Sequence, residues 1–417
     1  MNKLHKYAFS DLYDMTSGIS STKEQAGHGA PFASFSTVFN NHFLPDELPD
    51  LMDTSEREQE TYSIKKGDIL ITRTSETVDE LAMSCVALKD YPQATYSGFV
   101  KRLRPKTTGI VYDKYMGFFL RSKYFRKVIN SNTTMTLRAS FNEDIFSFLM
   151  LYLPDYKEQV KIGNMLYNLE KKIQINRKIN DNLQQQLRLL YDYWFTQFDF
   201  PDKNGKPYRS SGGKMVWNEQ LKREIPQKWQ CINIRDITSI TWGQCPDGIN
   251  ILDKSTAGNE LLDYCSGAGD MKGGFVVDCQ AKTDNSKRLA HKNDILVSVA
   301  GKIGDMCVVD HTISLGRAAM AYTANNFDET SFIYLTLHAL NKKMTTISSG
   351  SIQKVINNDH IDAFIFPYCE DIVLRFSSVT MDIYGKLIEI ANENKKLIEL
   401  RDWLLPMLMN GQAVVED

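Results

Sequence analysis

The sequence predicts an α+β chain: two similar mixed α/β domains separated by two long antiparallel coiled-coil helices, the halves related by a pseudo-twofold internal repeat. Three observations carry that expectation. Lys65-Lys66-Gly67-Asp68-Ile69-Leu70-Ile71-Thr72 aligns with His291-Lys292-Asn293-Asp294-Ile295-Leu296-Val297-Ser298. Asp11-Leu12 and Gly18 align with Asp236-Ile237 and Gly243, while Asp144-Ile145 and Pro154 align with His360-Ile361 and Pro367. After each of those prolines comes a long helical pattern, so the order reads globule, helix, globule, helix.

Residues 1–153 make the first domain. Its clearest strand runs from Gly67 to Arg73, a β-branched and apolar run entered through a Lys-Lys-Gly-Asp turn. Residues 154–198 make the first spacer helix, with a seam of Ile162, Leu166, Leu169, Ile173, Asn176, Asn180, Leu183, Leu187, Leu190 and Trp194. Its steps alternate four and three, which is a coiled-coil heptad rather than a loose amphipathic face. At about 1.5 Å per residue, some 40 residues make a rod of about 60 Å. Residues 199–228 are a linker with turn signals at Asn204-Gly205 and Ser210-Ser211-Gly212-Gly213. Trp217 and Trp229 predict that it packs down. Residues 229–366 make the second domain, where Asn293 to Ala300 repeats the strand of the first. Residues 367–417 carry the second helix, with a seam of Ile383, Leu387, Ile390, Asn394, Leu397, then Leu400 or Arg401, then Leu404. Both seams hold an asparagine near mid-helix, and a twofold relation would bring Asn180 and Asn394 face to face to fix the register. A buried seam asparagine costs stability and specifies pairing.

Composition narrows the function. The 417 residues leave room for about two to four domains at roughly 100–200 residues each. Hydrophobic residues at 42% and charged residues at 24% are ordinary for a folded globular chain. With 49 Lys plus Arg against 51 Asp plus Glu there is no global basic excess, so any nucleic acid must meet local patches or partner subunits. The longest uncharged apolar run, Ile145 to Leu153, is well short of the roughly 20 residues that span a membrane. The opening Met-Asn-Lys-Leu-His-Lys-Tyr lacks the apolar core of a signal peptide, and seven scattered cysteines suit a reducing cytoplasm.

Absences exclude several chemistries. There is no Pro-Pro dipeptide, hence no Asn-Pro-Pro-Tyr methyltransferase motif, and no Gly-x-x-x-x-Gly-Lys-Ser/Thr phosphate loop. Gly267, Gly269, Gly273 and Gly274 are spaced wrongly for a dinucleotide fingerprint and read as a turn or bulge. No Cys-x-x-Cys or His-Glu-x-x-His signals a metal site. Triad members need not be neighbours in sequence, but nothing marks one, so binding is favoured over catalysis and no catalytic residue is assigned.

Candidate contacts to nucleic acid follow from position and charge. Thr72, Arg73, Thr74 and Ser75 close the first repeated strand; Ser298 and Lys302, between Gly301 and Gly304, close the second. Small polar residues at strand ends suit phosphate contacts. Lys101, Arg102, Arg104 and Lys106 form a basic run able to neutralise phosphates, and Arg121, Lys123, Arg126 and Lys127 form another. Arg138 in the first domain, with Arg317, Ser351, Gln353 and Lys354 in the second, complete the candidates. Gln can read adenine, and Arg or Lys guanine, in the major groove. Globules that share a frame but differ in most residues should read different half-sites.

At this point the chain resembles the specificity subunits of type I restriction-modification systems, over essentially its whole length. The resemblance rests on Gly67 to Arg73 and Asn293 to Ser298, on Asn176-Arg177-Lys178-Ile179-Asn180 leading into Tyr191-Asp192-Tyr193-Trp194-Phe195, and on the linker from Asp199-Phe200-Pro201 through Glu224-Ile225-Pro226 to Trp229. It implies two target-recognition domains, each reading half of a bipartite site in double-stranded DNA, and no chemistry in this chain. It implies two modification subunits that methylate adenine with S-adenosylmethionine, and restriction subunits that use ATP and Mg to translocate and cut. Leu137-Arg138-Ala139 departs from the segment at Ser351 to Gln353, Pro406 sits in the second helix, and its heptad breaks near Leu400. These departures touch the equivalence of the halves. A coiled-coil interaction protein with no DNA role is one alternative. The recognition part of a fused methyltransferase-nuclease is another, disfavoured by the missing motifs.

Overall fold

The computed structural model describes residues 4–75, 80–131, 139–246, 251–254, 258, 260–272, 274–347 and 356–415. The chain divides into two compact units, Met1–Ile173 with Leu397–Asp417, and Gln174–Lys396.

The first unit is built on a four-stranded antiparallel sheet in the order Tyr13–Ser17, Val100–Pro105, Ile69–Thr72, Ser84–Val86. Every residue of Ile69–Thr72 is buried. Alternation explains how: Ile69, Ile71 and Leu103 join one apolar cluster, while Leu70, Cys85 and Val100 join another on the opposite face. A second pair, His5–Ala8 with Met150–Leu153, brings the ends of the domain together.

The second unit repeats this plan strand for strand. Its sheet runs Thr238–Trp242, Ala319–Ala324, Ile295–Ser298, Met306–Val308, and Gln230–Asn233 pairs with Ile365–Tyr368. The registers also agree: Thr72 faces Val100 in the first sheet and Ser298 faces Ala319 in the second. The entry turn is the same device twice. Asp68 Oδ2 accepts from the Lys65 N–H at 2.7 Å, and Asp294 Oδ2 from the His291 N–H at 2.7 Å. The second unit also carries a five-stranded sheet where the first has a three-stranded one, Asp50–Met52, Ala26–Ala33 and Thr95–Tyr96, and each contains one parallel pair. The glycine-rich stretch supplies one helical turn, Ala268–Met271, beside which Asp270 accepts from Ser266 and the Gln280 N–H. Gly273 lies outside the described residues.

Both long helices exist. The first spans Tyr156–Tyr191 and closes through a π turn, Asp192–Thr196; the second spans Glu370–Met409 and passes through Pro406 in its last turn. Ile162, Leu166, Ile173, Asn176, Asn180, Leu187 and Trp194 are buried as the heptad requires. Leu169 and Leu190 are only half-buried, their neighbours Glu170 and Tyr191 taking the deeper places. Within the second unit the helices run antiparallel: Asn176 Nδ2 donates to Glu393 at 2.6 Å, and Asn180 Nδ2 to the Leu387 carbonyl at 3.4 Å. Asn180 thus lies opposite Leu387. The expected Asn180–Asn394 pair is corrected: Asn394 lies seven residues further along its helix, about 10 Å at 1.5 Å per residue. In the first unit Arg401 donates to Glu170 at 2.6 Å in a nearly dry ion pair. Leu400 is 41% exposed, so Arg401 holds the seam.

The linker packs as expected at one tryptophan and not the other. Trp229 is buried, stacked on Phe200 at 5.3 Å with Tyr208 beyond it, whereas Trp217 is exposed. All seven cysteines are free thiols, and no helix among the described residues is long and apolar enough to cross a membrane.

One polar cluster braces the second unit. His311 lies between Asp310 at 2.6 Å and Asp263 at 3.1 Å, with Lys282 beside Asp263. Hydrogen bonds to Asp263 and then Asp310 push the imidazole up to about 9. Burial opposes ionisation of the two carboxyls, but the His311 bonds and nearby lysines outweigh it and hold both below the ordinary range. The histidine pKa is raised on folding, so its contribution is full below about 6.5 and lost as pH rises through about 9. The carboxylates act in reverse and lose theirs only in acid. His311→Ala should therefore cost about 1 kcal/mol at pH 7, screening in a half-exposed site being allowed for, and little at pH 10. Urea denaturation at both pH values checks this; an equal cost at both refutes it.

Candidate nucleic-acid interface

Each sheet ends in the same backbone frame. In the first unit the Thr72 N–H donates to the Met83 carbonyl, the Arg73 N–H to the Phe99 carbonyl and the Phe141 N–H to the Arg73 carbonyl, at 2.9, 2.8 and 2.8 Å. In the second the Ser298 N–H donates to Asp305, the Val299 N–H to Ala318 and the Ile356 N–H to Val299, at 2.9, 2.9 and 3.0 Å. Register therefore equates Arg73 with Val299, Phe99 with Ala318, Lys101 with Met320 and Arg104 with Thr323. One frame carries two unlike sets of side chains.

The frame also corrects the candidates. Thr72 and Ser298 are wholly buried. The Thr72 hydroxyl accepts from the Met83 N–H at 2.9 Å; the Ser298 hydroxyl accepts from the Asp305 N–H and donates to the Lys302 carbonyl. Both hydroxyls fasten the following turn and are not offered to a phosphate. The cations Lys101, Arg102 and Arg104 are spent internally for the same geometric reason: Val100–Pro105 is an inner strand of the sheet, so its side chains meet neighbours on both faces. Arg102 donates to the Ser63 carbonyl at 2.6 Å and lies over the Tyr96 ring. Arg104 grips Asp68 through two nitrogens, at 2.8 and 2.6 Å, and also reaches Ser63. Lys106 donates to the Ser10 carbonyl and pairs with Asp14, and Lys101 donates to the Ser17 hydroxyl at 2.8 Å. Arg121, from the second basic run, donates to the carbonyls of Ser84, Val38, Phe39 and Asn41, the last three at the end of helix Phe35–Asn40. Burial pulls its guanidinium down to about 10, which leaves it charged at neutral pH.

What remains on the surface is a shorter set. Arg73 and Arg317 are exposed, and Lys106 and Lys302 are exposed while paired with Asp14 and Asp305. Thr74 and Ser75 are half-buried in a two-residue pairing with Ala139–Ser140. Arg138, Ser351, Gln353 and Lys354 lie outside the described residues. Sequence reasoning missed Phe99, which is 64% exposed on the turn beside Arg73. Its signal is a bulky aromatic next to a turn glycine, in Ser97-Gly98-Phe99. Among the described residues no group of His, Cys, Asp and Glu could hold a metal ion.

A duplicated strand-end frame on paired domains, with a long helix after each, defines a two-headed recognition protein. Comparison with known proteins agrees. The model of the type I restriction modification DNA specificity domain matches residues 9–185 and 226–372. The chain is 22% identical to the HindI specificity subunit of Haemophilus influenzae, over 91% of this chain and 94% of that one. It is 22% identical to the MjaIX specificity subunit of Methanocaldococcus jannaschii, over 84% and 79%. The crystal structure of a type I restriction-modification S subunit from M. genitalium shares its fold, with a TM-score of 0.59 at 16% identity over 98% of this chain and 96% of that one. The chain belongs to the type I restriction-modification specificity family, and its role is the recognition of DNA sequence.

Proposed function

We propose that the chain reads a bipartite DNA site with a fixed gap, one half per domain, and scaffolds the subunits that act on it. The observation behind this reading is the repeated frame, which holds Arg73 and Phe99 in one domain where the other has Val299 and Ala318. Two readers of one design with unlike side chains suit two unlike half-sites. The antiparallel helices would set the gap and offer a docking surface to two modification subunits. Those subunits would supply the adenine methyltransferase chemistry from S-adenosylmethionine, and restriction subunits the ATP- and Mg-dependent translocation and cleavage. This chain itself would use no cofactor and catalyse nothing.

Methylome sequencing of the host with and without the gene tests the reading. One split motif with a constant gap should lose adenine methylation on deletion. If a modification subunit purified with this chain methylates no such motif, the reading is wrong.

A further inference from the structure

The proposal rests on the half-site reading and deepens it at one residue. Phe99 is among the most exposed large apolar side chains of the first unit. The turn beneath it is pinned: the Gly98 N–H donates to the Ile19 carbonyl at 2.7 Å, the Val100 N–H to Ser97 at 2.9 Å, and the Ser97 hydroxyl accepts from the Phe99 N–H at 3.3 Å. Gly18 closes against the same turn so tightly that a Cβ there would lie 2.1 Å from the Ser97 carbonyl oxygen. An aromatic ring is thus presented to solvent from a rigid support, which is how a recognition side chain is held ready.

Charge surrounds it. Arg73, one backbone hydrogen bond away, is exposed, and no described residue pairs with its guanidinium. Lys101 lies two residues further along the chain, buried, its ammonium held by the Ser17 hydroxyl. Burial and then Arg73 push that ammonium down while Glu143 opposes them. In the second unit the same backbone positions hold Ala318, Val299 and Met320, with neither an aromatic residue nor a cation among them. The frame is shared, and these positions are among those that differ.

We infer that Phe99 is a specificity-determining residue that packs on a thymine 5-methyl group in the first half-site, with Arg73 on a neighbouring phosphate. A phenylalanine has no hydrogen-bonding group, and in the major groove the feature it can distinguish is the thymine methyl. Arg73 supplies the backbone contact that positions it.

The test uses the complete methyltransferase complex and duplexes carrying its motif, each thymine replaced in turn by uracil, which lacks only that methyl. With the wild-type chain one replacement, in one half of the motif, should lower kcat/KM about tenfold. With Phe99→Ala the same replacement should have no effect, while Phe99→Leu should keep part of the discrimination. Arg73→Gln should weaken binding to all duplexes alike and flatten the salt dependence. Equal uracil penalties in wild type and Phe99→Ala at every position overturn the assignment. So does a motif with no thymine on either strand of one half. Loss of complex assembly with unchanged base preference overturns it too and makes Phe99 a protein contact. If the wild-type complex methylates no split motif, the half-site reading has failed instead, so the two failures are distinguishable.

Discussion

Arg104→Met is expected to lower the stability of the first unit by about 3 kcal/mol, although Arg104 belongs to a run that reads as a DNA-binding patch. Asp68 has no solvent exposure, and Arg104 covers both of its oxygens. Removing the guanidinium leaves the buried carboxylate held by the Lys65 N–H, and the Ser63 carbonyl keeps its bond from Arg102. The second unit sets a bound on the cost. There the matching Asp294 is equally deep, and Thr323 stands at the position of Arg104, so the turn itself can form around an aspartate without this ion pair. That comparison is why the lower end of the range for a broken buried pair is taken. At about 2–4 °C per kcal/mol the midpoint should fall by roughly 6–12 °C. Arg104→Met with Asp68→Asn should recover much of the loss, because no buried charge is then left unpaired. Thermal unfolding of the four proteins gives the coupling directly. A drop of under 1 kcal/mol in the single variant would place Arg104 among the surface cations after all. Below the new midpoint DNA binding should keep the same salt dependence, which loss of a phosphate-binding arginine would flatten.

This case shows where the sequence was legible and where it was not. The repeat, the strands at Ile69–Thr72 and Ile295–Ser298 and both long helices follow from periodicity, because burying one face imposes a period that survives in the residues. The pairing of Thr72 with Ser298 was also readable, yet its meaning was inverted. A hydroxyl at a strand end can serve a phosphate or its own turn, and only the Met83 and Asp305 amides decide. The basic run misled for a similar reason. Lys101 to Arg104 looks like a solvated face until the sheet order makes it an inner strand, and strand order is a long-range property. Phe99 was passed over because an aromatic residue in a strand-like stretch reads as core; its exposure depends on a turn closed by Gly18 and Gly98 from two distant segments. The helix seams were placed well, but the register between them needed contacts, since a heptad repeat matches itself at every seventh residue.

Asn180→Leu should raise the melting temperature by about 3–6 °C. The residue is 7% exposed in a seam of leucines and isoleucines. Its Nδ2 donates to the Leu387 carbonyl at 3.4 Å, long for an N–H···O bond, and that carbonyl already lies within a helix. Its Oδ1 is buried without a hydrogen-bond partner among the described residues. A buried amide oxygen left unsatisfied costs about 1–3 kcal/mol, whereas leucine, with the same branching and number of heavy atoms, places apolar surface in the seam opposite Leu387. The net gain should be about 1–2 kcal/mol. Asn180→Ala separates the two effects: it removes the unpaired oxygen but leaves a gap, and should fall within about 1 kcal/mol of the wild type. If leucine lowers the midpoint, the asparagine is bonded better than its geometry shows and the argument fails. If it raises the midpoint, the asparagine is retained at a cost. The reason to keep it is then register: a seam of leucine and isoleucine alone would fit equally well after a slip of one heptad, and a side chain that reaches a particular carbonyl would not.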